Sequence, residues 1–355
     1  MRLAMMAAAL ACASGAAHAA DKTAVPRQEK PEDSGWAYTL AFENDLFHFG
    51  QDRDYTNGLL ASVATPKIAL EGPWVTALPF FKHSANVSAV GDLSLTQSIY
   101  TPTDLTRVPP DPKDRPYAGV TLLNLGVVAA SQHIDAHGDA DHSRYEYLTY
   151  SLGVIGPDSD AALVQTKFHQ HIGAIPPQGW RYQIPHEVIG GMRYRRTYVY
   201  SPIEDLPRGL TLYAEPDVDF ALGNIKTEAG AGGIVRLGLF APVDYGVPRI
   251  EPANPGSGYF QRTGFIGAYT FAGLHVRYVG YDATFDREPA DNGPGVQKLN
   301  WVADAQAGFV LNVWRFRLGY TYERLSDEFK GQKGGHGFGA ASLSVAFGGN
   351  NRYLH

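Results

Sequence analysis

Trp314-Arg315-Phe316-Arg317-Leu318-Gly319-Tyr320-Thr321-Tyr322-Glu323 decides the fold. Every second residue is large and apolar, and those between are charged, small or polar. A period of two belongs to a β-strand. Two arginines opposite Trp, Phe and Tyr suit a wall with lipid on one side and a wet lumen on the other better than a half-exposed sheet of a soluble sandwich. Ala341 to Phe347 repeats the pattern. Trp36, Tyr38, Leu40 and Phe42 alternate with Ala37, Thr39, Ala41 and Glu43, and Leu123, Leu125 and Val127 oppose Asn124 and Gly126. The spacing predicts strands at 35–44, 55–65, 86–100, 117–130, 144–155, 187–201, 209–223, 226–240, 262–273 (extended by Leu274–Tyr281), 297–312, 314–327 and 337–347. The expected fold is all-β: a transmembrane, antiparallel up-and-down β-barrel of about 12 strands over residues 35–348, an even number as in other single-chain outer-membrane barrels.

The ends of the chain agree with export. Met1-Arg2-Leu3, an apolar run to Cys12 and Ala17-His18-Ala19 read as a signal peptide over residues 1–19. Cys12 raises a lipoprotein signal as the alternative, which Ala9-Leu10-Ala11 fits poorly. Residues 20–34 read as an N-terminal periplasmic segment and 349–355 as a C-terminal tail. Cleavage after Ala19 removes the only cysteine, so no disulfide can staple the remainder. Aromatics make up 12% of a chain whose mean hydropathy is only −0.21, as expected where apolar and polar residues alternate and cancel. The mildly acidic balance, −6, gives no reason to expect a nucleic-acid partner.

An N-terminus in the periplasm puts the odd-to-even connections outside the cell. These include residues 45–54, 101–116 and 156–186. The third breaks the strand pattern: from Ser159 to His171 the four-residue spacing of Val164 with Phe168, and of Gln165 with His169, predicts a short helix in an extracellular loop. Asp158 or Ser159 is placed to cap its start and Gly173 to end it.

Several groups could carry chemistry. Glu43-Asn44-Asp45 and Asp54-Tyr55-Thr56-Asn57-Gly58 flank the first connection, and oxygen donors of that kind suit a hard cation such as calcium; ordinary turn chemistry uses the same residues. Gln165 and His169 share a helix face, and histidine is the usual base near neutral pH, although a capping or solvated role gives the same spacing. His171 projects the other way. Arg107, Lys113 and Arg115, with Asp114, form a basic cluster able to hold phosphates, unless the loop is merely solvated. His133 to His142 looks like a metal cluster, but lies in an even-to-odd connection where such turns are usually just hydrated. Gly-x-Ser-x-Gly, His-Glu-x-x-His and phosphate-cradling loops are absent.

Taken in order, Phe42-Glu43-Asn44-Asp45, Asp54-Tyr55-Thr56-Asn57-Gly58, Gln97-Ser98-Ile99-Tyr100-Thr101-Pro102, Asp114-Arg115-Pro116-Tyr117-Ala118-Gly119, Gly153-Val154-Ile155-Gly156-Pro157-Asp158, Gln165-x-x-x-His169-x-x-Ile172-Gly173 and Gly179-Trp180-x-x-Gln183 resemble the outer-membrane lipid A 3′-O-deacylase family (LpxR-type). The second half of the chain is similar to that family mainly as strands. The resemblance implies a calcium-dependent esterase on a twelve-stranded barrel, acting on lipid A of lipopolysaccharide at the outer leaflet of the outer membrane. It makes His169 the water-activating base and Asn44, Asp45, Thr56 and Gln165 its companions, with Asp45 and Asn44 holding Ca2+. Arg107, where a relative has lysine, and Lys113 become the phosphate holders. Ile175 stands in the region where the family has an acidic residue, so either Glu187 supplies the charge or the cation site differs. The competing readings are a non-enzymatic barrel (channel, adhesin or scaffold) and an exported soluble β-sandwich.

Overall fold

The computed structural model describes residues 35–45, 54–73, 75, 81–135, 140–203, 206–247, 249–250, 254–261, 265–291, 293, 295–332 and 334–348. The proposed signal peptide, periplasmic segment and C-terminal tail lie outside these residues. Twelve long strands follow one another: β1 (Trp36–Asn44), β2 (Asp54–Ala64), β3 (Ser84–Thr101), β4 (Ala118–Ile134), β5 (Ala140–Ile155), β6 (Glu187–Val199), β7 (Leu210–Gly223), β8 (Lys226–Leu239), β9 (Ile266–Asp282), β10 (Trp301–Val313), β11 (Phe316–Leu325) and β12 (His336–Phe347). Each pairs antiparallel with its neighbours in chain order. β12 pairs back onto β1, Trp36 opposite Phe347, so the ring closes and leaves no open edge. Ile68–Ala69 adds a two-residue lip to β3. Four boundaries move by four residues: β4 runs to Ile134, not 130, β5 begins at Ala140, not 144, β9 begins at Ile266, not 262, and runs unbroken to Asp282, and β10 begins at Trp301, not 297.

The alternation has the expected consequence. Leu40, Leu59, Leu95, Leu123, Leu125, Leu237 and Leu318 project outward and are exposed, while their neighbours Thr39, Thr96, Asn124, Arg236 and Arg317 are buried inside. Exposed aromatics gather near both ends: Tyr38 against Phe347 and Trp314 against Phe316 at one, Tyr278 against Trp301 at the other. An apolar band between aromatic girdles is how a barrel wall meets a bilayer. A soluble sandwich has no reason to expose such a band, and the closed ring rules that architecture out.

The lumen holds a segment of the chain itself. Between β8 and β9 the chain folds back inside, and its pieces Val243–Asp244 and Phe260–Gln261 pair with each other. Asp244 anchors this inner segment, accepting from Arg236 Nη1 (2.6 Å), Arg317 Nη2 (2.9 Å) and the Tyr269 hydroxyl (2.8 Å). Further along, Arg249 Nη2 donates to both Glu323 carboxylate oxygens, at 2.6 and 2.7 Å, and the Ile250 N–H donates to Glu43 at 3.1 Å. Buried charges persist only when paired, and here wall and inner segment pair each other. Arg317 and Glu323 are lumen residues, as the alternation implies. Arg315 is not: it occupies the turn between β10 and β11, its guanidinium 4.0 Å from the Trp314 ring centroid.

Candidate functional site

Helix α1 (Ala161–Ile172) sits in the connection between β5 and β6, at the end of the barrel where β1 finishes. It lies on the outside of the wall. Outward residues lower down β3 and β4, such as Leu95 and Leu123, are exposed, whereas Ile99, Thr101 and Gly119 on the same faces near the rim are buried. Gly119 has a packing reason: a Cβ there would overlap Ser159 and Ala161. Gln97 Nε2 and the Thr121 hydroxyl both donate to the Ser159 carbonyl, and Phe42 of β1 meets Phe168 of α1 at 6.0 Å between ring centroids. The cap differs in part from expectation. Asp160 is the N-cap, in a left-handed conformation and without a side-chain cap bond; Asp158 pairs with His186, while the Ser159 hydroxyl donates to the Gly156 carbonyl and accepts from the Ala161 N–H at 3.4 Å. Gly173, at φ 72°, ends the helix as expected.

The buried face of α1 carries Gln165 and His169, 1% and 3% exposed. His169 Nδ1 is 2.8 Å from the Ile175 carbonyl. A carbonyl only accepts, so Nδ1 carries the proton and Nε2 is the basic nitrogen. Ile175 thus serves through its backbone, while its side chain is exposed. No pattern of side-chain types announces a carbonyl contact of this kind. His171 is exposed, in keeping with its projection away from His169.

The ends of β1 and β2 bring a second group to this rim. Asn44 Nδ2 donates to the Thr56 carbonyl at 3.1 Å, and the Thr56 and Thr101 hydroxyls are 2.6 Å apart. A bulge between Tyr55 and Asn57 makes this possible: Tyr55 turns inward to Glu43, while Thr56 shares the outer face with Thr101. Thr101 is a member that sequence reasoning quoted but did not single out. Asn44 and Asp45 are both buried. With the Asn44 amide nitrogen on a carbonyl, its oxygen and the Asp45 carboxylate are donors of the type a calcium ion takes. These residues fit such an ion in donor type. Glu187 does not add a carboxylate, because it is engaged by Arg287 and Asn224.

The basic cluster divides. Arg107 and Lys113 are exposed; Arg107 holds Asp111 at 2.6 Å, and the Lys113 N–H together with that guanidinium keep Asp111 below the usual carboxylate range. Arg115 leaves the cluster. It is fully buried, paired with Glu328 at 2.6 Å, and its guanidinium lies 4.4 and 4.2 Å from the Tyr100 and Phe285 ring centroids. It ties the rim of β3 and β4 to the connection between β11 and β12. Burial works against the Glu328 charge, yet the Arg115 guanidinium, followed by His336, brings its pKa from 4.5 down to about 2. A depressed carboxylate stabilises the fold above its unfolded pKa and loses that contribution as pH falls through the folded one. Thermal unfolding in detergent should therefore lose stability between about pH 4.5 and 2, and Glu328→Gln should remove that part of the slope. An identical slope in the variant contradicts the assignment.

Two other metal candidates can be placed. The His133 and His142 rings meet, tilted, at 4.9 Å between centroids on the opposite rim, and residues 136–139 between them lie outside the described residues. Among the described residues, the one group of three clustered ligands is Asp217, Asp219 and His275 inside the barrel. Arg193 already pairs with Asp219, and His275 Nε2 lies 2.9 Å from Asp219. The ligand atoms of the three are close enough to hold a metal ion, and Arg193 and His275 compensate the Asp219 charge within the lumen network. These residues alternate inward on β7 and β9, a pattern too common among lumen residues for the sequence to mark them.

A family model described as "Outer membrane protein LpxR" matches residues 3–347. Among solved structures, the chain is similar to LpxR from Salmonella typhimurium: 19% identical, over 88% of this chain and 100% of that one, with a TM-score of 0.65. At that identity the likeness speaks for the barrel fold alone. The β domain of the Bordetella autotransporter Brka matches at 12% identity over 89% of this chain and 100% of that one, but its TM-score of 0.41 carries no argument. No curated protein matches the chain. Matched along nearly its whole length, the chain belongs to the LpxR family of outer membrane proteins.

Proposed function

We propose that the protein is a lipid A 3′-O-deacylase, a calcium-dependent ester hydrolase that removes the 3′-linked acyloxyacyl chain in the outer leaflet of the outer membrane. The observation that carries this reading is the position of His169. It is buried on the outside of the wall, at the rim, above the exposed lipid-facing leucines of β1 to β4. A lipid in the leaflet reaches such a site laterally, without entering the lumen.

In this reading His169 Nε2 takes a proton from water as the water oxygen attacks the ester carbonyl. The carbon–oxygen bond to the sugar then breaks, and the same proton passes to the departing 3′-oxygen. Gln165, next to the base on the helix, orients the reactants. Asn44 and Asp45 would hold the calcium ion, with Thr56 setting the Asn44 amide. A bound calcium supplies positive charge near the developing oxyanion. Arg107 and Lys113 hold a lipid A phosphate from the exposed loop. Chelator should suppress acyl release by the wild type and added calcium should restore it; release that is indifferent to chelator removes calcium from the account.

The channel alternative meets a specific obstacle, since the inner segment anchored by Asp244 occupies the lumen. The wild type should show no steady conductance in planar bilayers. Open-channel current of porin size would favour that reading instead.

A further inference from the structure

Trp180 is buried (7% exposed), at the start of a 3-10 turn over Trp180–Tyr182, and packs on Tyr117 at 4.9 Å between ring centroids. The segment around it is held against the connection between β3 and β4: the Gln178 N–H donates to the Leu105 carbonyl at 2.8 Å and the Ile184 N–H to the Tyr117 carbonyl at 2.9 Å. From this anchored position the Trp180 indole N–H donates to Gln165 Oε1 at 2.9 Å. An indole nitrogen can only donate, so the oxygen of the amide must face it. The amide flip of Gln165 is thereby set by chemistry. Its Nε2 becomes a buried donor with no hydrogen-bond partner among the described residues, on the helix face that also carries His169. A buried donor without a partner costs about 1–3 kcal/mol, a cost that an arriving acceptor would relieve.

We infer that Trp180 is a positioning residue: it holds Gln165 so that Nε2, not Oε1, is the end presented to an oxygen of the substrate. The inference rests on the deacylase reading for what that oxygen belongs to, and on the hydrogen bond for everything else. Rotating freely, the amide would offer its oxygen part of the time, and two facing acceptors repel.

The test is a double-mutant cycle on the full-length protein in detergent, with calcium, using lipid A that carries a 3′-acyloxyacyl group as substrate. Trp180→Phe keeps an aromatic ring against Tyr117 and removes the N–H. Loss of one preorganised donor costs about 10²–10³-fold in kcat, so loss of its orientation alone should cost about tenfold, with KM unchanged. In a Gln165→Ala background, Trp180→Phe should change nothing further. An equal loss in both backgrounds, or no loss in either, overturns the inference. A readout independent of activity uses indole-15N-labelled protein. The Trp180 N–H, identified by its absence in Trp180→Phe, should be protected from exchange in the wild type and lose protection in Gln165→Ala. An indole unprotected in the wild type, or unaffected by Gln165→Ala, overturns it as well. A wild type inactive on lipid A whose Trp180 indole is protected by Gln165 counts against the deacylase reading and leaves the pairing standing.

Discussion

His169→Ala should lower acyl release from lipid A by about 10²–10⁴-fold, the usual contribution of a positioned general base. The barrel should remain folded, judged by heat-modifiable gel migration. The two halves of this expectation have separate causes. The imidazole is committed through Nδ1 to the Ile175 carbonyl, at the end of a short helix outside the wall. Removing it frees the Ile175 carbonyl, which lies in a rim connection and not in a strand. His171→Ala is the matched control. It lies on the same helix, two residues on, but is exposed; its loss should leave the rate within about twofold, as for surface changes away from any site. If the two variants lose activity equally, the helix as a whole matters and the histidine is not the base.

The largest stability effect should come from the lumen. Asp244→Ala removes the carboxylate shared by Arg236, Arg317 and Tyr269, leaving two guanidinium groups buried without it. Breaking a buried pair by deleting one partner costs about 3–5 kcal/mol. Arg236 also pairs with Glu215 at 3.0 Å, and Arg317 with the Ser257 and Gly246 carbonyls, so the cost falls at the lower end of that range. Urea unfolding in detergent should show the midpoint drop, and Asp244→Asn should fall between, since it keeps acceptor geometry on one side but not the charge. An unchanged midpoint for Asp244→Ala would mean that the inner segment does not brace the wall.

The wall was legible because its physics is local. Period two in Trp36–Phe42 and Phe316–Tyr322 follows from lipid on one side and a packed lumen on the other, and residue type alone reports it. The rim site was half legible. Asn44, Thr56, Gln165 and His169 fall at strand ends or on one helix face, so spacing brings them to the same end of the barrel. The contacts each makes are less visible: a bulge at Thr56, the Ile175 carbonyl on His169, and Trp180 on Gln165. Backbone groups and register steps have no side-chain signature. Arg115 misled for a related reason, since an arginine in a loop looks the same whether it holds a phosphate or Glu328. The inner segment left one trace: residues 240–265 form a long connection where such barrels keep their turns short.

The central claim is that this barrel removes the 3′-linked acyl group from lipid A at its outer rim. Mass spectrometry of lipid A from a host of known lipid A structure, expressing the wild type with calcium present, tests it most directly. The account predicts a new species lighter by the 3′-acyloxyacyl group, absent with chelator and absent with His169→Ala. Lipid A of unchanged mass in cells whose outer membrane contains the folded wild-type barrel would contradict it.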